Sequence, residues 1–433
     1  MRGQSPRSSG KYPHARPVEA HACSRVTTVL SVEEALEAIL SRIAPLGTEL
    51  VELAATLGRV LAEPVVSRRE LPPWPNSSMD GYAIRAADTR AGSAELAVVG
   101  RIIAGSLPAR TLQAGEAMRI FTGAPLPDGA DAIVPQEDVT GDGERVTVGK
   151  RVEPGAFVRP AGEDIRAGDV VVGAGQTISA AEIGVLAALG YARVRVHRRP
   201  RVAVLSTGNE LADLGTEPGP GQIPNTNTYS LMAQVVEAGA EPVSLGVVPD
   251  RLEAIVERIR WAASADVLVS SAGVSVGELD LVREALVQCG AELHLWKVAM
   301  RPGKPITFGS LEDRPVFGLP GNPVSAMVTF ELFVRPALRK MAGCLAVDRP
   351  RIWARVLEPI RNPGGRRGYL RVTLVRDGRE YGARLTGDQG SGILSSMVRA
   401  DGLAVVAPDT TVPAGERVEV ILLRAPVPRA PGG

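Results

Sequence analysis

The sequence predicts a multidomain α/β protein. It has a doubly wound α/β domain, a helical domain, a β domain inserted in the helical one, and a β-barrel-like domain at the C-terminus. Three observations carry this. At 433 residues the chain exceeds what one hydrophobic core organises. Residues 200–345 alternate strand-like apolar runs with helical patterns, the mark of a sheet covered on both faces. Residues 68–158 and 346–433 instead carry short β-like runs bounded by Gly, Pro and Asp.

Composition narrows the function classes. The net charge is +1 and only 4% of residues are aromatic. Neither a broad basic face nor a base-stacking surface is indicated, so a nucleic-acid partner is not expected. Cys23, Cys289 and Cys344 stand far apart with no Cys-x-x-Cys pair, which fits a reducing, cytoplasmic setting and excludes a thiolate zinc site. His14, His21, His197 and His294 lie too far apart for a His-x-x-x-His metal face. Apolar runs are too short to span a membrane.

Residues 1–30 hold five Lys/Arg against one acid and no apolar signal core, and are read as a disordered tail. Ser31 and Glu34 form a capping box before Ala35, Leu36, Ile39 and Leu40, which opens the first helix. A second helical pattern covers residues 50–57 and stops at Gly58. From Leu71 the texture turns to prolines and then to the run Asn76-Ser77-Ser78-Met79-Asp80-Gly81-Tyr82-Ala83. Strands are expected at 95–99, 117–121, 132–135 and 145–148. Thr122, in the polar turn after Phe121, can face a ligand. A second capping box, Ser179 with Glu182, opens another helix. If the flanking helices pack together, residues 31–67 and 159–199 form one linking domain and 68–158 is its insertion.

Strands are expected at 202–205, 242–248, 267–270, 293–298 and 316–319. Helices are expected at 228–238, 251–263, 281–289 and 324–341, the second capped by Asp250. Ligands of such a fold sit beyond the carboxyl ends of the strands. Those ends carry Ser206-Thr207-Gly208-Asn209-Glu210, Ser271 to Gly277, and Pro320-Gly321-Asn322-Pro323. The last turn leads into a helix, whose exposed N–H groups suit an anion. Lys297, Arg301 and Lys304 fall within eight positions just before it, which points to a phosphate-rich or oxyanionic ligand. Past Pro350 only strands are expected, at 352–357, 369–375, 403–406 and 417–423.

Two motifs mislead. Gly273-Val274-Ser275-Val276-Gly277 matches a nucleophile elbow, but only His294 follows it, too soon for an acid and histidine in hydrolase order. Pro302-Gly303-Lys304-Pro305 lacks the spacing and hydroxyl of a Walker loop. What remains is a set of loop acids: Asp80, Asp164, Glu210, Asp250 and Asp280. Asp280 can cap its helix or, with Glu210, face a magnesium ion, which on substrate phosphates needs only one or two protein carboxylates.

The runs 76–83, 121–127 with 129–132, 162–165, 206–210, 273–277 with Asp280, 301–305 and 318–325 together resemble the molybdopterin molybdenumtransferase family. That family includes the E domain of gephyrin and its plant counterpart. The likeness runs in order from about Ser31 to Leu423. It implies an elongated homodimer in which the α/β domain of one subunit and the inserted domain of the other share a site. It also implies insertion of molybdenum from molybdate into adenylylated molybdopterin, assisted by Mg2+, with release of AMP. By position, Asp80, Thr122, Asp164, Glu210, Asp250, Asp280, Lys297, Arg301, Pro320 and Pro323 match residues used in or around that site. Ser206, Thr207, Gly208, Ser275, Lys304, Gly321, Asn322 and Ser325 complete the implied substrate contacts, and Glu210 and Asp280 the implied metal position. Two departures stand out: Ala272 where glycine is usual, and Arg301 where some relatives have lysine. Arginine keeps the charge and adds a fork for oxyanions. The rival readings are the adenylyltransferase of the preceding step, which shares only the α/β domain and is itself an expected transient partner, and a scaffold without activity.

Overall fold

Ser31 begins the first helix, α1 (Val32–Leu40), in the way its sequence predicts. Its hydroxyl accepts from the Glu34 N–H at 3.1 Å, and the Glu34 carboxylate accepts from the Ser31 N–H at 2.7 Å. The computed structural model describes residues 29–141, 143–271 and 280–426. Val29–Leu30, expected in the tail, form strand β1 beside Lys297 and Val298, and the rest of that expectation, residues 1–28, lies outside the described residues. The inner face of α1 also differs from expectation. Val32, Ala35 and Ile39 pack into the α/β core with Trp296 and Val298, not against residues 159–199.

The helix expected at 50–57 is a strand, β2 (Thr48–Glu52), followed by a short 3-10 turn at Leu53–Ala55. Its backbone pairs with Arg193–His197, some 140 residues on, and long-range pairing overrides local pattern. Leu50, the first residue of the supposed helix, is left exposed.

The inserted domain is a sheet of β3 (Gly81–Ile84), β4 (Ala94–Ile102), β5 (Glu116–Ile120), β6 (Ala132–Pro135), β7 (Val139–Gly141) and β8 (Arg145–Val148). Its order is β6-β3-β5-β4-β8-β7. β3 was not expected, since its sequence reads as a glycine-containing turn. Helix α2 (Ala180–Ala188), opened by the Ser179 box, and strand β9 (Arg193–His197) then build a small separate core with Leu61, Val65, Ile165 and Ile178.

Strand β10 (Arg201–Thr207) opens the α/β domain, followed by α3 (Asn227–Glu237), β11 (Glu241–Val248), α4 (Leu252–Trp261), β12 (Val267–Ser271) and α5 (Leu281–Gln288). β13 (Glu292–Val298), β14 (Pro305–Leu311), β15 (Arg314–Leu319) and α6 (Pro323–Thr329) complete it. The sheet order is β1-β13-β14-β15-β12-β10-β11, and only β14 runs antiparallel to its neighbours. β14 escaped prediction because prolines and glycines flank it. Helices α4 and α5 bury Ile255, Ile259 and Leu286 on one face, while α1, α3 and α6 cover the other. The helix expected at 324–341 is interrupted by a π-helical turn at Phe330–Val334 before α7 (Arg335–Met341).

Five strands close a barrel at the C-terminus: β16 (Arg351–Val356), β17 (Arg367–Asp377), β18 (Glu380–Leu385), β19 (Gly402–Val406) and β20 (Arg417–Leu422). Both β18 and β20 pair with β16, and β19 joins β20 to β17, so no edge remains open in that ring. A short helix, α8 (Ser395–Arg399), breaks the strands-only expectation. Among the described residues no helix is long and apolar enough to cross a membrane.

The barrel is tied to the α/β domain at the π-turn. The Glu331 carboxylate, only 4% exposed, accepts from Arg349 at 2.9 and 3.2 Å and from the Gln234 amide at 2.9 Å. Arg349 also donates to the Leu423 carbonyl at 2.8 Å. Breaking one side of such a buried pair strands the other charge. Arg349→Met is expected to cost about 3–5 kcal/mol, with Arg349→Lys in between, as read from urea denaturation followed by circular dichroism.

Candidate functional site

In the sheet, β10 connects onward to β11 on one side and β12 onward to β13 on the other, so the connections diverge between β10 and β12. A crevice forms where diverging connections leave a gap at the carboxyl ends of the strands. Here a cavity of about 440 Å³ opens at that edge. Thr207, Glu210, Asn225, Asn227, Ser271 and the Gly321–Asn322–Pro323 turn line it.

Hydroxyl and amide groups hold the floor of the crevice. The Ser206 hydroxyl lies 2.7 Å from both the Thr228 and Ser271 hydroxyls. Asn225 donates to the Thr228 hydroxyl at 2.9 Å and accepts from its N–H at 3.3 Å. Asn227 donates to the Gly321 carbonyl at 2.7 Å, so α3 positions the turn before α6. Ser206, Thr228 and Ser271 are all less than 5% exposed, and a buried polar group must be bonded. Asn225, Asn227 and Thr228 were not singled out from the sequence. The signal was present as a polar run directly before a helical pattern.

Gly208 has φ +151°, and a Cβ there would lie 2.6 Å from a Glu210 carboxylate oxygen. Glycine therefore lets Glu210 fold back beside the cavity. Asp250 does not cap α4, whose N-cap is Arg251 with no side-chain bond. Its carboxylate instead accepts from the Asn209 N–H at 3.3 Å, while the Asn209 side chain accepts from the Asp250 N–H at 3.1 Å. This reciprocal pair fastens the loop after β10 to the loop after β11. Asp280 does cap α5, accepting from the Arg283 N–H at 3.2 Å. Ser275 and Ala272, with the nucleophile-elbow match, lie outside the described residues.

Lys297, Arg301 and Lys304 are exposed at the same sheet edge, where β13 ends and β14 begins. That lane is two strands from β15, about 10 Å at ordinary strand spacing, so the cations flank the cavity without lining it. Met300–Arg301 pairs with Arg367–Gly368, and the Arg301 guanidinium donates to the Pro363 carbonyl at 3.4 Å. The basic loop thus leans on the barrel. Gly303 (φ +98°) passes so close to Thr329 that a Cβ would come within 2.4 Å of its hydroxyl. Pro320 and Ser325 are buried, with the Ser325 carbonyl beneath that same loop.

The barrel contributes a group that sequence reading passed over. The Ser391 carbonyl accepts from the Val324 N–H at 3.2 Å, so a barrel loop covers the N-terminus of α6. Arg371, fully buried, holds that loop by donating to the Gly390 carbonyl at 3.0 Å. Burial pushes its pKa down to about 10, and the nearby Arg301 charge adds to the effect.

Asp80, Thr122 and Asp164 lie on or beside the inserted domain and do not line the crevice. Asp80 accepts from both the N–H and the hydroxyl of Thr122, each at 2.8 Å. The Thr122 backbone bond, then its hydroxyl, hold this carboxyl below the usual aspartate value. Asp164 sits exposed in a turn whose N–H donates to the Leu71 carbonyl at 3.0 Å.

Residues 30–190 match the family model described as the MoeA N-terminal region (domain I and II). Residues 203–340 match the probable molybdopterin binding domain, and 354–423 the MoeA C-terminal region (domain IV). A molybdopterin molybdenumtransferase of Nostoc sp. is 41% identical over 392 residues, 88% of this chain and 89% of that one. One from Haemophilus influenzae is 35% identical over 399 residues, 90% of this chain and 98% of that one. The crystal structure of a molybdopterin biosynthesis moeA protein from Pyrococcus horikoshii OT3 superposes with a TM-score of 0.80 at 31% identity, covering 91% of this chain and all of that one.

The Asp80–Thr122 pair makes a local prediction. A carboxyl with a depressed folded pKa contributes stability above its unfolded value, lost as pH falls through the folded one. Thr122→Val keeps the backbone bond and removes the hydroxyl. The Asp80 carboxyl is then expected to titrate higher, part of the way back to its ordinary range, as read by carbon-13 NMR of its side chain.

Proposed function

The chain belongs to the molybdopterin molybdenumtransferase family of molybdenum cofactor biosynthesis, and from that premise we propose that it inserts molybdenum from molybdate into adenylylated molybdopterin with release of AMP. The observation that carries this reading is the crevice where the strand connections diverge. It has Glu210 on its wall, a helix N-terminus at Pro323 and three cations along the same edge. Phosphate and molybdate oxygens meet the side chains of Lys297, Arg301 and Lys304. The Pro320–Pro323 turn, held by Asn227 and by the barrel loop, shapes the pterin pocket.

Glu210 and Asp280 are the residues that would hold Mg2+. The donors fit: Glu210 offers a carboxylate at the cavity, surrounded by hydroxyl and amide oxygens. Among the described residues no three acidic, histidine or cysteine side chains gather to cage a metal. With one or two protein carboxylates, the ion would be completed by substrate phosphates and water and would neutralise charge on the phosphoanhydride.

The protein is read as a homodimer in which Asp80, Thr122 and Asp164 of one subunit face the crevice of the other. That reading gives a use to acids that do not line the crevice of their own chain. It is also read as cytoplasmic, in keeping with the free thiols of Cys289 and Cys344, and as receiving substrate from the adenylyltransferase by transient contact. The domain borders proposed from sequence are 31–67 with 159–199, 68–158, 200–345 and 346–433; clusters of buried apolar residues within 61–196, 84–152 and 354–420 support this division, while α1 and the barrel residues Tyr369, Met397, Leu403 and Ile421 join the α/β core.

The deciding assay is AMP release from adenylylated molybdopterin. Release that requires molybdate and Mg2+ is expected; pyrophosphate release from ATP instead would favour the adenylyltransferase reading, and no release from either would remove both. The shared site predicts complementation. Asp80→Asn and Asp280→Asn homodimers are each expected to be inactive, with Asp280→Asn near wild type in thermal stability because asparagine caps a helix nearly as well. Mixed dimers are expected to regain one of two sites. A mixed dimer as inactive as its parents would put both acids in one subunit's site.

A further inference from the structure

One face of the inserted sheet carries a row of residues that folding alone does not favour. Arg101 on β4 and Arg119 on β5 are direct register partners, and Arg119 is in turn the partner of Tyr82 on β3. Like charges directly opposite across two strands repel. Phe121, two residues beyond Arg119 and on the same face, relieves this by taking both guanidiniums, with Arg101 at 4.7 Å and Arg119 at 4.8 Å from its ring centre. Arg119 also stacks on Tyr82 at 5.1 Å.

The two arginines differ in what they have left to give. Arg119 donates to the Gly81 carbonyl at 2.8 Å and to the Gln136 side chain. Arg101 is exposed, and among the described residues it has no carboxylate within ion-pair distance and no hydrogen-bond acceptor. Its planar fork, fixed against a ring, is free in the direction of solvent. The row adjoins Thr122 and Asp80, which the functional reading aims at the partner subunit's crevice. A phosphoanhydride spreads charge over two phosphorus centres. It matches two cations sharing one ring better than a single small tetrahedral oxyanion does.

We propose that Arg101, stacked on Phe121 opposite Arg119, is a substrate-binding residue that contacts the adenylate phosphate oxygens of substrate held in the partner subunit's crevice. This rests on the reaction and the shared site proposed above. Arg119 is its positioning partner, and the repulsion within the row is the stability given up for that contact.

The test uses the full-length dimer with Arg101→Gln and Arg101→Lys. Arg101→Gln is expected to raise KM for adenylylated molybdopterin and weaken AMP binding by calorimetry, each about tenfold or more, with kcat kept within about twofold. Its melting temperature is expected to hold or rise, because a like-charge pair is gone. Arg101→Lys is expected to recover part of the affinity. An unchanged KM and AMP affinity in Arg101→Gln overturns the inference while leaving the reaction intact. So does a rise confined to the KM for molybdate, which would make the bound oxyanion molybdate. Loss of the dimer in Arg101→Gln would also overturn it, by making Arg101 an interface cation. If the wild-type chain releases no AMP, the functional reading fails first, and the AMP-binding comparison alone decides the role of Arg101.

Discussion

A buried carboxylate governs how the parts of this molecule meet. Glu331 sits inside a π-helical turn, and its charge is tolerable there because Arg349 and Gln234 reach it from the barrel approach and from α3, with Arg335 at 3.9 Å. The same Arg349 ties down the Leu423 carbonyl at the end of the last barrel strand. With the barrel held at that point, its loops reach the other end of the helix, where the Ser391 carbonyl covers the α6 N-terminus. The Arg301 loop lies against β17 through backbone pairing of its own. The relation between crevice, basic loop and barrel rests on this desolvated charge and its partners together with the barrel residues Tyr369, Met397, Leu403 and Ile421 packed into the α/β core.

The crevice separates its structural bonds from its open chemistry. Its floor is neutral: serine, threonine and asparagine side chains bond one another and hold the strand ends in place. Its ionisable groups stand at the rim, where they remain solvated in the absence of ligand. Neutral groups bury at modest cost once bonded, whereas unpaired charges do not. Bonded and open groups are thereby different residues: Ser206, Thr228 and Asn225 hold the floor, while Glu210 and the three cations stand exposed. Asp250 and Asp280 belong partly to the first group, since one fastens two loops and the other caps a helix.

The inserted domain shows the opposite arrangement. Its outer face keeps Asp80, Arg119, Phe121 and Arg101 side by side on an antiparallel and parallel mix of strands. Charge and aromatic surface together on a β face cost more than the β-branched residues such a face usually carries. Faces of that kind persist where a ligand or another surface completes them.

Much of the fold was legible in the sequence, and the reasons are local. Capping boxes at Ser31 and Ser179 involve residues three apart, and the structure forms both. Five apolar strand runs of the α/β domain and the loops at their carboxyl ends follow from periodicity, and so does the presence of a β-rich C-terminal domain. The family was legible from several motifs in order. What local pattern did not decide depends on distant partners. Residues 50–57 carry a helical rhythm, yet their backbone hydrogen bonds go to residues 193–197, which no window of sequence contains. Asp250 stands where a cap belongs, but Asn209, brought near by parallel pairing of two strands, offers it a better bond. The buried set at the crevice floor, the Ser391 lid on α6 and the row of Arg101 with Arg119 likewise exist only once register is set. Sequence alone determined the capped helices, the apolar strand runs of the α/β domain and the chemistry their loops carry, but not elements such as β2, β3 and β14. Tertiary structure decided which of those groups meet, because hydrogen bonds and charges are satisfied by whichever partner the fold brings within about 3 Å, whatever its distance along the chain.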